Sequence, residues 1–174
     1  MKRPVVLYIA TSLDGYIARE NGDIDWLYEA EGEGDSGYSE FYETIDTVLM
    51  GNKTYEHTFE LADQFPYPDK KCYVFSRSEH EPSPHVTFVT GDVPEFFEDL
   101  KEQEGSKIWI VGGAEIFDVL LKSNLVDEFI ITITPTILGN GIPLFKKDNP
   151  ELKLFLVETK RFGQMVQLHY TVKS

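Results

Sequence analysis

An α/β fold with a mostly parallel sheet, helices on both faces and an antiparallel C-terminal hairpin is the architecture this sequence predicts. Three observations carry that expectation. Short β-rich apolar runs such as Ile108-Trp109-Ile110-Val111 recur along the chain, as strands buried on both faces do. Amphipathic or helix-permissive segments alternate with them over the first two thirds. The last two strand-like runs follow one another directly, joined near Gly163.

In chain order, residues 5–10 are a continuous apolar run and a central strand. Residues 11–18, TSLDGYIA, form a loop pivoting on Gly15. Residues 21–27 read as a loop anchored by Trp26, and residues 31–37 are too rich in glycine for regular structure. Tyr38, Phe41, Tyr42 and Ile45 share one face of a predicted helix over 38–45. A second strand at 47–50 runs into Gly51-Asn52-Lys53-Thr54 and a short helix. Strands at 71–75 and 86–89 follow, then a surface helix over 93–103. The strand at 108–111 ends in Gly112-Gly113, after which Ile116, Phe117, Leu120 and Leu121 mark a helical stripe. A strand at 128–134, a long turn at 135–143 and strands at 152–158 and 165–172 complete the set, eight strands in all.

The 174 residues suit one domain with a substantial core, 1–174. A formal charge of −14 argues against a nucleic-acid partner and against an anionic membrane surface, both of which need clustered Lys and Arg. Ten acidic residues and no basic one lie between Glu20 and Asp46, a pattern most simply read as a solvated face. The one cysteine, Cys72, rules out an internal disulfide and reads as a small buried hydrophobe. The four histidines show no metal-ligand spacing. The first residues lack a signal-peptide core and no run spans a membrane, so a cytoplasmic location is expected.

In parallel α/β sheets, ligands bind beyond the carboxyl ends of the strands. Four loops rich in binding chemistry follow such ends: Ala10 to Gly15, Gly51 to Thr54, Ser76-Arg77 and Gly112-Gly113. Any one is a weak signal, but four at one edge favour a ligand site. Gly51 and Gly112-Gly113 each lead into a helix whose free N–H groups suit a phosphate. Lys53 and Thr54 add a charge and a hydroxyl, and the fork of Arg77 suits a phosphate monoester. Two helix ends for a pyrophosphate and an arginine for a separate phosphate fit NADPH better than NADH. Neither G-x-G-x-x-G nor G-x-x-x-x-G-K-[ST] is present.

The segments Ser12-Leu-Asp-Gly-Tyr-Ile-Ala18, Val48-Leu-Met-Gly-Asn-Lys-Thr-Tyr55, Phe75-Ser-Arg77, Ile110-Val-Gly-Gly-Ala-Glu-Ile-Phe117 and Leu138-Gly-Asn-Gly-Ile-Pro-Leu-Phe145 together resemble the dihydrofolate reductase-like superfamily. More narrowly, the chain is similar to the C-terminal reductase domain of the bifunctional riboflavin biosynthesis deaminase-reductase. The resemblance implies a three-layer fold around an eight-stranded sheet, with NADPH across its C-terminal edge. It implies that Gly51, Asn52, Lys53 and Thr54 hold the pyrophosphate, and Ser76 and Arg77 the 2′-phosphate. Gly112, Gly113, Ala114, Glu115, Ile116 and Phe117 then serve the pyrophosphate and nicotinamide side, with a cis Gly112–Gly113 peptide. Ala10, Asp14, Gly15 and Ile17 belong by the same resemblance to the strand end and mobile loop beside the nicotinamide. A homodimer is also implied, since relatives often pair.

Two departures matter. Asn52 stands where dihydrofolate reductases usually carry an arginine, and the loop from Asp23 to Trp26 lacks their Pro-Trp step. The pocket is therefore not expected to suit folate. The expected activity is NADPH-dependent hydride transfer to a small heterocycle, similar to 5-amino-6-(5-phosphoribosylamino)uracil reduction. Basic residues for that substrate's phosphate are missing from the acidic segment, which counts against that exact compound. Asp35, then Glu40, are the candidate acids or acceptors to a ring N–H. No zinc-deaminase motif accompanies them. The alternatives are a true dihydrofolate reductase and a non-catalytic NADPH-binding sensor or structural protein.

Overall fold

The computed structural model describes residues 2–61 and 64–173. Its main sheet has eight strands in the order β5-β4-β3-β6-β1-β7-β10-β9. These are β1 (Val5–Thr11), β3 (Ile45–Gly51), β4 (Lys71–Phe75), β5 (Thr87–Val89), β6 (Lys107–Gly112), β7 (Glu128–Ile133), β9 (Leu154–Phe162) and β10 (Met165–Val172). Pairing is parallel from β5 through to β7. In this sheet β10 alone is reversed, pairing antiparallel with both β7 and β9, so that β9 and β10 form the antiparallel C-terminal hairpin that the sequence expects.

Two short strands, β2 (Tyr16–Ala18) and β8 (Ile142–Pro143), pair apart from the main sheet. Both were expected as loop and turn. They tie the loop after β1 to the segment after β7, and Gly15 O accepts Leu144 N–H at 3.0 Å beside them. A further difference is α1 (Asp25–Tyr28), one helical turn where a loop is predicted; its Trp26 is buried, so the anchor role holds. The helix expected over 38–45 is shorter, α2 (Tyr38–Tyr42), because β3 already begins at Ile45. β9 runs on to Phe162, beyond the expected end at residue 158.

The remaining helices are α3 (Asn52–Leu61), α4 (Val93–Glu102) and α5 (Ala114–Lys122). Asp92 caps α4 by accepting Glu95 N–H at 2.8 Å, and Pro94 fits the first turn, where its missing donor is not needed. α4 and α5 place Phe97, Leu100, Phe117 and Leu120 against one sheet face with Val5, Leu7 and Ile110. α2 and α3 cover the other face, where Phe41 and Tyr55 pack with Val6, Val48, Met50 and Trp109. Burying each such large side chain stabilises the fold by roughly 1.5–3 kcal/mol relative to leaving it exposed. This two-sided burial explains why the central strands read as unbroken apolar runs.

Candidate active site

Parallel pairing sends β1, β3, β4 and β6 to one edge, and each of the four singled-out loops leaves from it. Met50 lies opposite Gly112 in the β3–β6 register, and Gly51 opposite Phe75 in β3–β4. Gly51, Thr54, Gly112 and Gly113 are in direct reach of one another. A methyl built on Gly112 or on Gly113 would stand 3.4 Å from Thr54 Oγ1. One built on Gly51 would stand 3.4 Å from Ile116 and 3.8 Å from Gly113 N. Absent side chains thus let two helix starts, α3 and α5, close on a narrow backbone-lined cradle. The Gly112–Gly113 peptide is cis, as expected. No side chain caps α5, whose N-cap is Gly113, so its leading N–H groups remain available, while Glu115 is exposed on its first turn. Ala114 and Phe117 are buried anchors of that turn rather than exposed groups.

Asn52, the first residue of α3, donates through Nδ2 to Glu56 at 3.1 Å, and its buried amide oxygen has no hydrogen-bond partner among the described residues. Lys53 is exposed at the same helix start, and among the described residues it has no ion-pair partner. Ser76 is buried at the end of β4, where its N–H donates to Val89 O at 3.0 Å. Arg77 follows it into solvent, without an ion-pair partner among the described residues. A glycine cradle, two helix starts and a free guanidinium match the donor set that a dinucleotide bearing an additional phosphate needs.

The loop after β1 is held more firmly than a freely mobile segment. Asp14 accepts Ser12 Oγ–H at 2.6 Å, Gly139 N–H at 2.8 Å and Leu138 N–H at 3.2 Å. These bonds, the Ser12 hydroxyl first, keep its carboxyl below the usual carboxylate range. Gly15 takes φ +90°, a turn that suits glycine, and Ile17 packs into the core. Asp14 thus acts as a clasp between two loops.

Beside the cradle, under α2, strand register sets out two rows on one sheet face. Ala10, Thr132 and Gln167 are aligned across β1, β7 and β10, and Tyr8, Ile130 and His169 form the next row inward. Gln167 Nε2 donates to Thr132 Oγ1 at 3.1 Å. The Tyr8 ring stacks on Phe41 at 3.9 Å, and its backbone oxygen accepts Trp109 Nε1–H at 3.1 Å. Burial raises the Tyr8 phenol above its ordinary range, so it stays protonated at neutral pH as a hydrogen-bond donor. Tyr8, Glu40, Phe41, Lys160, Gln167 and His169 are among the groups lining a hollow of about 150 Å³ here. Two of its lining residues meet Glu128, which accepts from Lys107 Nζ at 3.1 Å and lies 2.8 Å from His169 Nε2. Sequence reasoning missed Tyr8, Thr132 and Gln167; polar Gln167 and His169, two apart and so on one face of β10, were the available signal.

Asp35 and Glu40 are placed differently from a buried acid. Asp35 is exposed and accepts Gly37 N–H at 3.1 Å and Ser39 N–H at 3.0 Å. The Ser39 hydroxyl and these N–H groups hold its carboxyl below the usual range, so it is ionised at neutral pH and unsuited to donating a proton. It stays an acceptor, near enough to Tyr8 to raise that phenol further. Glu40 is exposed and lies 3.7 Å from Lys160 Nζ. Cys72 is buried as expected, and burial pushes its thiol up to about 12, which leaves it unreactive. A larger hollow of about 430 Å³, lined by Leu121, Phe129 and Phe145 among others, lies on the opposite sheet face, and none of its lining residues belongs to the four loops. Among the described residues no cluster suits a metal ion, and no helix is long and apolar enough to cross a membrane.

Comparison with known proteins agrees with this geometry. The chain is 56% identical over 171 residues to YwjB of Bacillus subtilis strain 168, an uncharacterized protein, covering 98% of each. A protein from Shewanella sp. PV-4, named provisionally as a riboflavin biosynthesis protein, superposes with a TM-score of 0.88 at 29% identity, over 100% of both chains. Dihydrofolate reductase from Enterococcus faecalis, solved with NADP(H), gives a TM-score of 0.67 at 16% identity over 100% of both chains and shows the shared fold. The model of the RibD C-terminal domain matches residues 3–168. With its dihydrofolate reductase-like sheet and its glycine-lined edge, the chain belongs to the RibD C-terminal domain family.

Proposed function

We propose that this chain is an NADPH-dependent reductase that delivers hydride to a small heterocyclic substrate. The observation that carries this reading is the closure of two helix starts on one glycine cradle, with Thr54 Oγ1 3.4 Å from where a methyl on either Gly112 or Gly113 would lie. In this reading Gly51 to Thr54 and Gly112 to Ile116 hold the pyrophosphate by backbone N–H groups, and Ser76 and Arg77 hold the 2′-phosphate. The nicotinamide supplies the hydride when bound.

The chain's own residues then bind, orient and exclude water. Ala10 and the β2–β8 clasp flank the nicotinamide, and the row Ala10–Thr132–Gln167 floors the acceptor's place. Asp35, held ionised, accepts from a ring N–H, while the Tyr8 phenol, kept protonated by burial, donates a hydrogen bond to a ring heteroatom and stabilises charge that develops there. This assignment gives the hydrogen-bond donor role to Tyr8 rather than Asp35. The acceptor resembles the aminopyrimidine of riboflavin biosynthesis in being a planar heterocycle with N–H and carbonyl edges.

Purified protein, incubated with NADPH and a panel of pyrimidine, pterin and simple carbonyl acceptors, tests the reading. Consumption of NADPH with a heterocyclic acceptor supports it; tight NADPH binding without turnover on the whole panel contradicts it.

A further inference from the structure

The segment after β4 folds around one hydroxyl. Ser76 Oγ accepts Ser78 N–H at 3.2 Å and lies 2.6 Å from Nε2 of His80, a residue that neither motif nor mechanism has used. The His80 ring is laid flat on Phe88, with centroids 4.4 Å apart and planes at 10°. Phe88 is in turn fixed edge-on by Tyr55 of α3 at 5.6 Å. His80 is thus an exposed imidazole whose orientation is set from two sides, three residues after the exposed Arg77 and bonded to its neighbour Ser76.

A serine hydroxyl has one proton to give. With Ser78 N–H already donating to Ser76 Oγ, the direction of the bond to His80 decides where that proton points. If Nε2 is bare, the serine proton is consumed by the imidazole. Once the ring is charged, both nitrogens carry protons, Nε2–H donates to Ser76, and the serine proton is free to turn outward. Charging His80 therefore adds a cation three residues from Arg77 and, from the neutral tautomer with its proton on Nδ1, also frees the Ser76 O–H; the Nε2–H tautomer leaves that donor free already.

We propose that His80 is a specificity-determining residue of the 2′-phosphate site. Its charged imidazole holds Ser76 as a donor and adds a positive charge beside Arg77, so that preference for NADPH over NADH strengthens as His80 gains its proton. The inference rests on the reading of this edge as an NADPH site. Charged groups around His80 are Arg77, Glu79 and Glu81 along its own loop; β5 presents the Phe88 ring and α3 the Tyr55 ring behind it.

The test is calorimetric titration of wild type, His80→Gln and Arg77→Ala with NADPH and with NADH at about pH 6 and about pH 8, either side of the range where histidines change charge. The 2′-phosphate itself gains charge near pH 6, so each variant is compared with wild type at the same pH. His80→Gln is expected to weaken NADPH about tenfold at the lower pH and less than twofold at the higher, leaving NADH unchanged at both. In addition, the NMR titration of the His80 imidazole is expected to move to higher pH when NADP⁺ is added and not when NAD⁺ is added. Equal loss of both nucleotides, or equal loss at both pH values, or a His80 titration indifferent to NADP⁺, overturns the proposal. If NADPH binds and Arg77→Ala discriminates while His80→Gln behaves as wild type, the His80 inference alone falls. If neither nucleotide binds wild type, the cofactor reading falls with it.

Discussion

Asp14 and Gly139 are joined across 125 positions of sequence: Gly139 N–H donates to Asp14 Oδ2 at 2.8 Å, while the other carboxylate oxygen takes Leu138 N–H at 3.2 Å. One side chain thereby fastens the loop after β1 to the segment after β7. Together with the β2–β8 pair, this fixes the wall beside the glycine cradle.

The sign of its pH dependence follows from those bonds. They place the folded-state carboxyl below the ordinary 3.8. Its stabilising contribution is therefore full above that value and is lost as pH falls through the lower, folded-state one. Asp14→Ala is expected to melt below wild type at about pH 7, with the gap narrowing as pH falls below 3.8, as read by circular dichroism. A gap that persists or widens in acid would refute the clasp.

Arg77→Ala separates the two phosphate contacts. Loss of a charge-assisted bond of roughly 1.5–3 kcal/mol is expected to weaken NADPH tenfold to a hundredfold and to leave NADH nearly unchanged. Titration with both nucleotides checks it, and equal losses would remove the 2′-phosphate role.

Gly113→Val addresses the cradle itself. At φ −93° the backbone accommodates a side chain, and the first added carbon meets only Thr54 Oγ1 at 3.4 Å, so the variant is expected to fold. The branched methyls enter the space that the proposed function gives the dinucleotide, and NADPH binding is expected to be lost by at least a hundredfold. A normally melting variant with wild-type affinity would sink the assignment.

Tyr8→Phe tests the donor. The ring keeps its stack on Phe41 at 3.9 Å, so packing is retained and only the hydroxyl goes. Turnover with a heterocyclic acceptor is expected to fall about tenfold or more, with NADPH affinity unchanged within twofold. Unaltered kcat would remove Tyr8 from that role.

The central strands were legible because burial on both faces leaves an apolar run that little else produces; residues 5–10, 71–75 and 108–111 all became strands. That Gly51, Arg77 and Gly112 follow strand ends at one edge was legible because parallel topology sends those ends the same way. β2 and β8, three and two residues long, and the single turn of α1 are shorter than any period that sequence pattern can register. Tyr8, Thr132 and Gln167 sit on three different strands, and only register brings them together. His80 looked like a solitary histidine in a polar loop, since the stacking on Phe88 depends on β5 lying beside β4.

A crystal structure of the protein grown with NADPH addresses the enzyme proposal most directly. The account predicts pyrophosphate oxygens on the leading N–H groups of α3 and α5, with the 2′-phosphate within hydrogen-bonding distance of Arg77 and Ser76. A dinucleotide seated anywhere else, or a cradle at Gly51, Gly112 and Gly113 that stays empty at saturating NADPH, would contradict it.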